Sequence, residues 1–172
     1  MNRKVFFDSI RPALFPKGLL ASQVDGITKI LDYRDAAWPA MPDNELAYVL
    51  ATTKWETGHS MQPVSEGYPM TGARLRAFQR GLRYAPFWGR GLVQITHDYN
   101  YQKFGIKNDP DAALKWPTAL DILFRGMIFG MFTGKRLSDY FSDQGADWFN
   151  ARRIVNGLDQ ADHIAAQAKA FF

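Results

Sequence analysis

Apolar residues recur at helical spacing along several stretches of the chain. Ile27, Ile30 and Leu31 follow Ser22 and Asp25, which stand at the spacing of a capping box, and Pro39 ends the segment. Asp43 is placed to cap a second helix, with Leu46, Val49, Leu50 and Thr53 at helical intervals. Pro117 suits the first position of a third, which runs through Leu120, Leu123, Phe124, Met127, Ile128 and Met131 toward Gly134. Trp148 to Val155 reads as a further helix closed by Asn156-Gly157, and Ala161, Ile164, Ala165, Ala168 and Phe171 share one face of the last.

The middle of the chain breaks this pattern. Residues 57 to 98 hold nine glycines and prolines, a density that forbids long regular elements. Short strands and turns are expected there, with one short helix around Leu75, Phe78 and Leu82. The pattern predicts an α+β fold, mainly α-helical, with a small irregular β-containing lobe flanking a cleft. No internal repeat, low-complexity tract or linker divides the chain, so residues 1–172 are expected to form a single domain.

Length and composition narrow the class. A chain of 172 residues can bury one sizeable core. Its 15% aromatic content exceeds what such a core requires, so some rings are expected on a binding surface. The net charge of +4 is unevenly spread: between Glu66 and Asp98 there is no acidic residue, yet Arg74, Arg76, Arg80, Arg83 and Arg90 fall there. Such a run attracts a polyanion. There is no cysteine, which suits synthesis in a reducing compartment. Val5-Phe6-Phe7 begins like a leader, but Asp8 and Arg11 interrupt the apolar run early, so no export signal is expected. His59, His97 and His163 show no ligand spacing, so no metal or other cofactor is expected. No helix-turn-helix, RNA-binding aromatic signature or zinc-ligand cluster is legible, which argues against nucleic acid as partner.

Glu56 is the strongest candidate for chemistry. Seven residues after Val49, it lies within about 20° of that apolar residue around the helix, so its carboxyl points inward. Burial raises a carboxyl's pKa and keeps it protonated near neutral pH, as a general acid at a glycosidic oxygen must be. Gly58 then allows a sharp turn at the cleft edge. Glu66, in the irregular segment, is the candidate second carboxylate, because two carboxyls in unlike environments are the glycosidase pattern.

Three segments carry a resemblance. Ala47-Tyr48-Val49-Leu50-Ala51-Thr52-Thr53-Lys54-Trp55-Glu56-Thr57-Gly58 resembles the catalytic helix of glycoside hydrolase family 19, the chitinases and their phage endolysin relatives. Phe87-Trp88-Gly89-Arg90-Gly91-Leu92-Val93-Gln94-Ile95-Thr96, with the trailing Asn100-Tyr101, is similar to that family's aromatic-aromatic-Gly-Arg-Gly-x-x-Gln-Leu-Thr stretch. Arg153-Ile154-Val155-Asn156-Gly157 resembles its Ile-Asn-Gly segment. The resemblance implies a lysozyme-like fold, Glu56 as general acid and Glu66 as general base. Gln94, Thr96, Asn100 and Asn156 match substrate- or water-holding positions, and Trp88 belongs to the same stretch. Gln94 and Thr96 are expected to project from one side of a short strand. Arg90 is expected to support the site, by bracing a carboxylate or as a structural salt bridge. Trp55 departs from the family, which carries histidine before the acid. The short interval from Glu56 to Glu66 is nearer the endolysin branch, where Thr71 is a candidate for positioning water.

The arginine run favours peptidoglycan, which carries many carboxylates and phosphates, over neutral chitin. The expectation is therefore an endolysin-type muramidase, a monomer made in the bacterial host cytoplasm and acting on peptidoglycan glycan strands after release. A holin or other membrane-lesion protein would give it access. The alternatives are a chitinase, a lytic transglycosylase or a wall-binding module without catalysis.

Overall fold

One helix is buried on every side, and the others are laid around it. The computed structural model describes residues 2–142 and 145–172. Among the described residues there are seven α-helices: α1 (Arg3–Leu14), α2 (Ala21–Ala37), α3 (Asp43–Glu56), α4 (Gly72–Arg80), α5 (Asp98–Lys103), α6 (Trp116–Ile128) and α7 (Ala161–Phe171). Four two-residue strands form two antiparallel pairs, β1 (Val64–Ser65) with β2 (Arg90–Gly91) and β3 (Phe141–Ser142) with β4 (Gly145–Ala146). The fold is α+β and mainly helical, as the periodicity predicts.

The buried helix is α3. Leu46 through Lys54 are all buried, and no charged side chain interrupts Leu46 to Thr53, so this stretch of the helix can be enclosed. Its principal neighbour is α7, which presents Ala161, Ile164, Ala165, Ala168 and Phe171 inward. The small alanines let the two helices approach closely, and α1 adds Phe6, stacked on Phe171 at 6.5 Å. Leu50 is 1% exposed at this contact. Truncating such a leucine to alanine typically removes about 2–5 kcal/mol.

Several local expectations are corrected. Helix α1 is not foreseen by the sequence reading; Asn2 caps it, its Oδ1 accepting from the Val5 amide at 3.2 Å, and Phe6, Ile10 and Leu14 form its buried stripe. Ser22 and Asp25 make no capping box. Leu20 is the N-cap of α2, and Gln23 Oε1 accepts from its amide at 2.8 Å, while Asp25 pairs with Lys29. Asp43 is the first residue of α3 rather than its cap, and it takes an ion pair from Arg34 at 2.5 Å. Helix α6 ends at Ile128, short of Gly134, because the chain turns through Gly130 at φ +67°. The segment before Asn156 is a 3-10 turn over Asn150–Ile154, not an α-helix.

The β1–β2 pair (Val64 opposite Gly91, Ser65 opposite Arg90) anchors the irregular lobe, with α4 as the expected short helix through Leu75 and Phe78, ending at Arg80 before Leu82. Gly91, at φ +88°, backs directly on the Ala113 carbonyl, which a Cβ would approach to 2.9 Å. The lobe thus sits against the 3-10 turn Pro110–Leu114 that leads into α6.

Candidate active site

Glu56 is the last residue of α3, and the chain reverses immediately after it. The Gly58 amide donates to the Trp55 carbonyl at 3.2 Å and the His59 amide to the Lys54 carbonyl at 2.8 Å. With Gly58 at φ +55° this is a Schellman termination, which needs a residue tolerant of the left-handed conformation after the cap. Thr57 reinforces the turn: its hydroxyl donates to the Thr53 carbonyl and accepts from the Met61 amide. The carboxyl is thereby held at the end of a rigid, buried rod.

Its side chain keeps 16% of its exposure and opens into a cleft of about 520 Å³. Burial pushes the carboxyl above the ordinary range; the Arg152 guanidinium pulls it partly back, and the Asp159 charge adds a smaller upward push. Arg152 Nη1 donates to Glu56 Oε1 at 2.7 Å, and its Nε donates to the Asp159 carbonyl at 3.0 Å. Arg152 itself is 3% exposed. Opposed influences on one carboxyl suit a group that must hold a proton and then carry the resulting charge.

Three segments complete the cleft. The turn after β2 contributes Val93 to His97, with Tyr99 and Asn100 from α5. The loop after α6 contributes Phe132, Thr133 and Lys135, and the segment after the 3-10 turn contributes Arg153, Val155, Asn156 and Gly157. The Thr133 hydroxyl lies 2.6 Å from the Arg153 carbonyl and 3.0 Å from that of Ile154, tying the last two walls together. Phe132 packs its ring tip against α6: a Cβ on Gly126 would come within 1.9 Å of it. Lys135 and Arg153 form no salt bridge among the described residues, and the cleft carries these two cations beside its acid. Among the described residues lining it, Glu56 is the sole carboxylate.

The structure brings Gln94, Thr96, Asn100 and Asn156 together on the cleft wall with Glu56. Gln94 and Thr96 do not alternate along a strand, however. Arg90 and Ile95 exchange backbone hydrogen bonds of 3.3 and 3.1 Å, closing a turn in which Gln94 adopts φ +51°. Gln94 Nε2 donates to the carbonyls of Val64 and Gly91, which makes it a strut between cleft and lobe. Asn100 Nδ2 donates to the Thr96 carbonyl at 2.9 Å, fixing Thr96 beside it.

Glu66 is not on the cleft wall. Tyr84 donates its hydroxyl to Oε1 and the Gly89 amide donates to Oε2, each at 2.7 Å. The bond to Glu66, then burial, pushes the Tyr84 hydroxyl up to about 12, so it remains a donor. Glu66 stands one layer behind Gln94: a Cβ on Gly89 would lie 3.3 Å from Glu66 Oε2 and 2.7 Å from Gln94 Oε1. Thr71, exposed at the N-cap of α4, also lies off the wall, as does Trp88, whose Nε1 donates to Ser65 Oγ at 3.0 Å. Arg90 braces the lobe through Asp111 at 2.7 Å rather than through either glutamate. It also donates to the Pro86 and Trp88 carbonyls and the Tyr101 hydroxyl, with Trp88 stacked 4.2 Å from its guanidinium.

Sequence reasoning missed Arg152, Thr133, Lys135 and the rings of His97 and Tyr99. The one signal for Arg152 is its place beside Arg153, immediately before the Ile-Val-Asn-Gly segment. Trp55, where the resembled family has histidine, lies parallel to His163 at 6.1 Å and 5°. No protein-family model matches the chain, and no characterised protein is similar enough to count as a relative.

Proposed function

We propose that the chain is a glycoside hydrolase of the family-19-like endolysin branch that cleaves the glycan of bacterial peptidoglycan, with Glu56 as general acid. The observation that carries this reading is Glu56 itself: a desolvated carboxyl, opening into a polar cleft and paired with one buried arginine. Glu56 gives its proton to the glycosidic oxygen as the C–O bond breaks, and Arg152 stabilises the carboxylate that remains. Thr96 and Asn156 offer a hydroxyl and an amide to the sugar and to the attacking water, and Asn100 holds Thr96 in place. Lys135 and Arg153 favour a glycan bearing carboxylates over neutral chitin.

A second reading, lytic transglycosylation, is favoured by one observation: among the described cleft residues there is no second carboxylate to activate water. In that reaction the sugar's own hydroxyl closes an anhydro ring, and one acid suffices. Mass spectrometry of digested peptidoglycan tests both. Reducing ends are expected for hydrolysis and anhydro-sugar ends for transglycosylation. Intact glycan with chitin degraded would overturn the substrate, and intact glycan with chitin untouched would overturn the enzyme.

A further inference from the structure

Two hollows meet at one histidine. The cleft has His97 and Tyr99 on its wall, and a second hollow of about 360 Å³ is lined by Arg83, Tyr84, Ala85, Phe87, His97 and Asp98. The His97 ring stands edge-on to Tyr84 at 5.1 Å and lies parallel to Tyr99 at 5.4 Å and 8°. Tyr84, His97 and Tyr99 therefore make one aromatic wall leading out of the cleft into the hollow. The wall is fixed. Tyr84 is bonded to Glu66, Phe87 packs on Tyr101 at 5.4 Å, and the His97 amide donates to the Phe87 carbonyl at 2.9 Å. His97 is held at φ +67° and ψ 144°, a conformation that non-glycine residues adopt only where their surroundings impose it.

The two hollows differ in chemistry. The cleft offers hydroxyls and amides, the groups that recognise sugar hydroxyls and acetamides, with Lys135 and Arg153 beside them. The second hollow has no side-chain amide and no aliphatic hydroxyl among its described lining residues, and offers rings and charge alone. Its acid, Asp98, is already met by Lys107 at 3.3 Å, whereas Arg83 is exposed and has no acidic partner within ion-pair distance among the described residues. What remains is an aromatic surface beside an unpaired guanidinium.

We propose that this hollow is a side-branch subsite, which takes the carboxylate-bearing peptide substituent of the glycan whose backbone lies against Glu56. The inference rests on the glycosidase reading above. A peptide carboxylate meets Arg83, and the peptide's backbone and aliphatic carbons lie on Tyr84 and His97, while the sugar stays among Thr96, Asn100 and Asn156. Arg83 is then a specificity residue for substituted over bare glycan.

The test compares peptidoglycan sacculi with the same glycan stripped of peptides by an amidase, at about 0.15 M salt, where a Debye length of about 8 Å silences long-range attraction. Arg83→Gln is set against Arg76→Gln, another exposed arginine, on α4, that does not line the hollow. Arg83→Gln should lower kcat/KM on intact sacculi about two- to fivefold, chiefly through KM, the range of an exposed ion pair. Arg76→Gln should not, and neither change should be felt on stripped glycan. Equal losses on both substrates, equal losses from both variants, or no loss on intact sacculi would overturn the subsite. Retention on sacculi, measured in a Glu56→Gln background, makes the same comparison without turnover. If Glu56→Gln protein remains active, the glycosidase reading falls, and the retention comparison still judges the hollow.

Discussion

The end of α3 and the β lobe each hold a glutamate, and they hold it by opposite means. Glu56 is desolvated and meets a single charged partner, Arg152, so its protonation state is contested. Glu66 accepts from two neutral donors, a tyrosine hydroxyl and a backbone amide, one on each oxygen, and those bonds close the lobe from residue 66 to residue 89. The first arrangement suits a group that must change charge during a reaction. The second suits a group that must not. Position in a motif does not separate them; the partners do.

The largest effect that would break this contrast is expected at Glu56. Glu56→Gln should reduce wall-lytic activity by about 10²- to 10⁴-fold, the usual contribution of a general acid, with the fold intact by circular dichroism. Activity within a few-fold of wild type would show that Glu56 is not the acid. The same variant carries a stability signature. A carboxyl raised in the folded state contributes stability fully below its ordinary pKa, and loses it as pH rises through the folded value. Thermal melts of Glu56→Gln should therefore gain on wild type as pH rises through that window.

Next comes Arg152. Replacing it with Met leaves Glu56 without its partner; above the pH at which the carboxyl ionises, breaking such a pair costs about 3–5 kcal/mol, read as a fall in the denaturant midpoint, and below that pH the cost is smaller. It also removes the charge that pulls the Glu56 carboxyl down. Since the protonated acid is the active form, the alkaline limb of the pH–rate profile should move to higher pH. A limb that stays in place would mean that another group controls it.

Glu66→Gln should be milder and of a different kind. One oxygen becomes an amide facing a donor, so about 1–3 kcal/mol of stability is lost. Activity per folded molecule should hold nearly constant at a temperature well below the melt. A 10²-fold fall in kcat without loss of stability would make Glu66 a base and collapse the comparison. The smallest effect is electrostatic. Arg74, Arg76 and Arg80 are exposed and form no ion pair among the described residues. Replacing all three with Gln should flatten the fall in wall lysis with salt, as the Debye length shrinks from about 30 Å at 0.01 M to about 10 Å at 0.1 M. An unchanged salt response would make them an ordinary solvated face.

The helical body was largely legible because apolar spacing survives in the structure: the stripe on α7 is the one the residues predict, and Glu56 turns inward as its interval from Val49 requires. Helix α1 was hidden by Asp8 and Arg11, which mark its exposed face rather than a break. The Gln94–Thr96 strand failed for a local reason, a turn closed by Arg90 and Ile95 with Gln94 at positive φ, which Gln does not announce. Arg152 was illegible in principle. It lies 96 residues from Glu56, and a lone arginine reads as surface until the acid that justifies its burial is seen beside it.

Gly126 gives the cleft an adjustable wall. Phe132 lines the cleft, and the tip of its ring packs against α6 at Gly126, where a Cβ would come within 1.9 Å of it. For an engineer this is a dial set apart from the chemistry. Ala at 126 would drive the ring toward the substrate, and overpacking of this kind costs about 1–3 kcal/mol. Leu at 132 over the unchanged glycine would hollow the same face instead. The pair offers graded control of cleft width at positions other than Glu56 and Arg152.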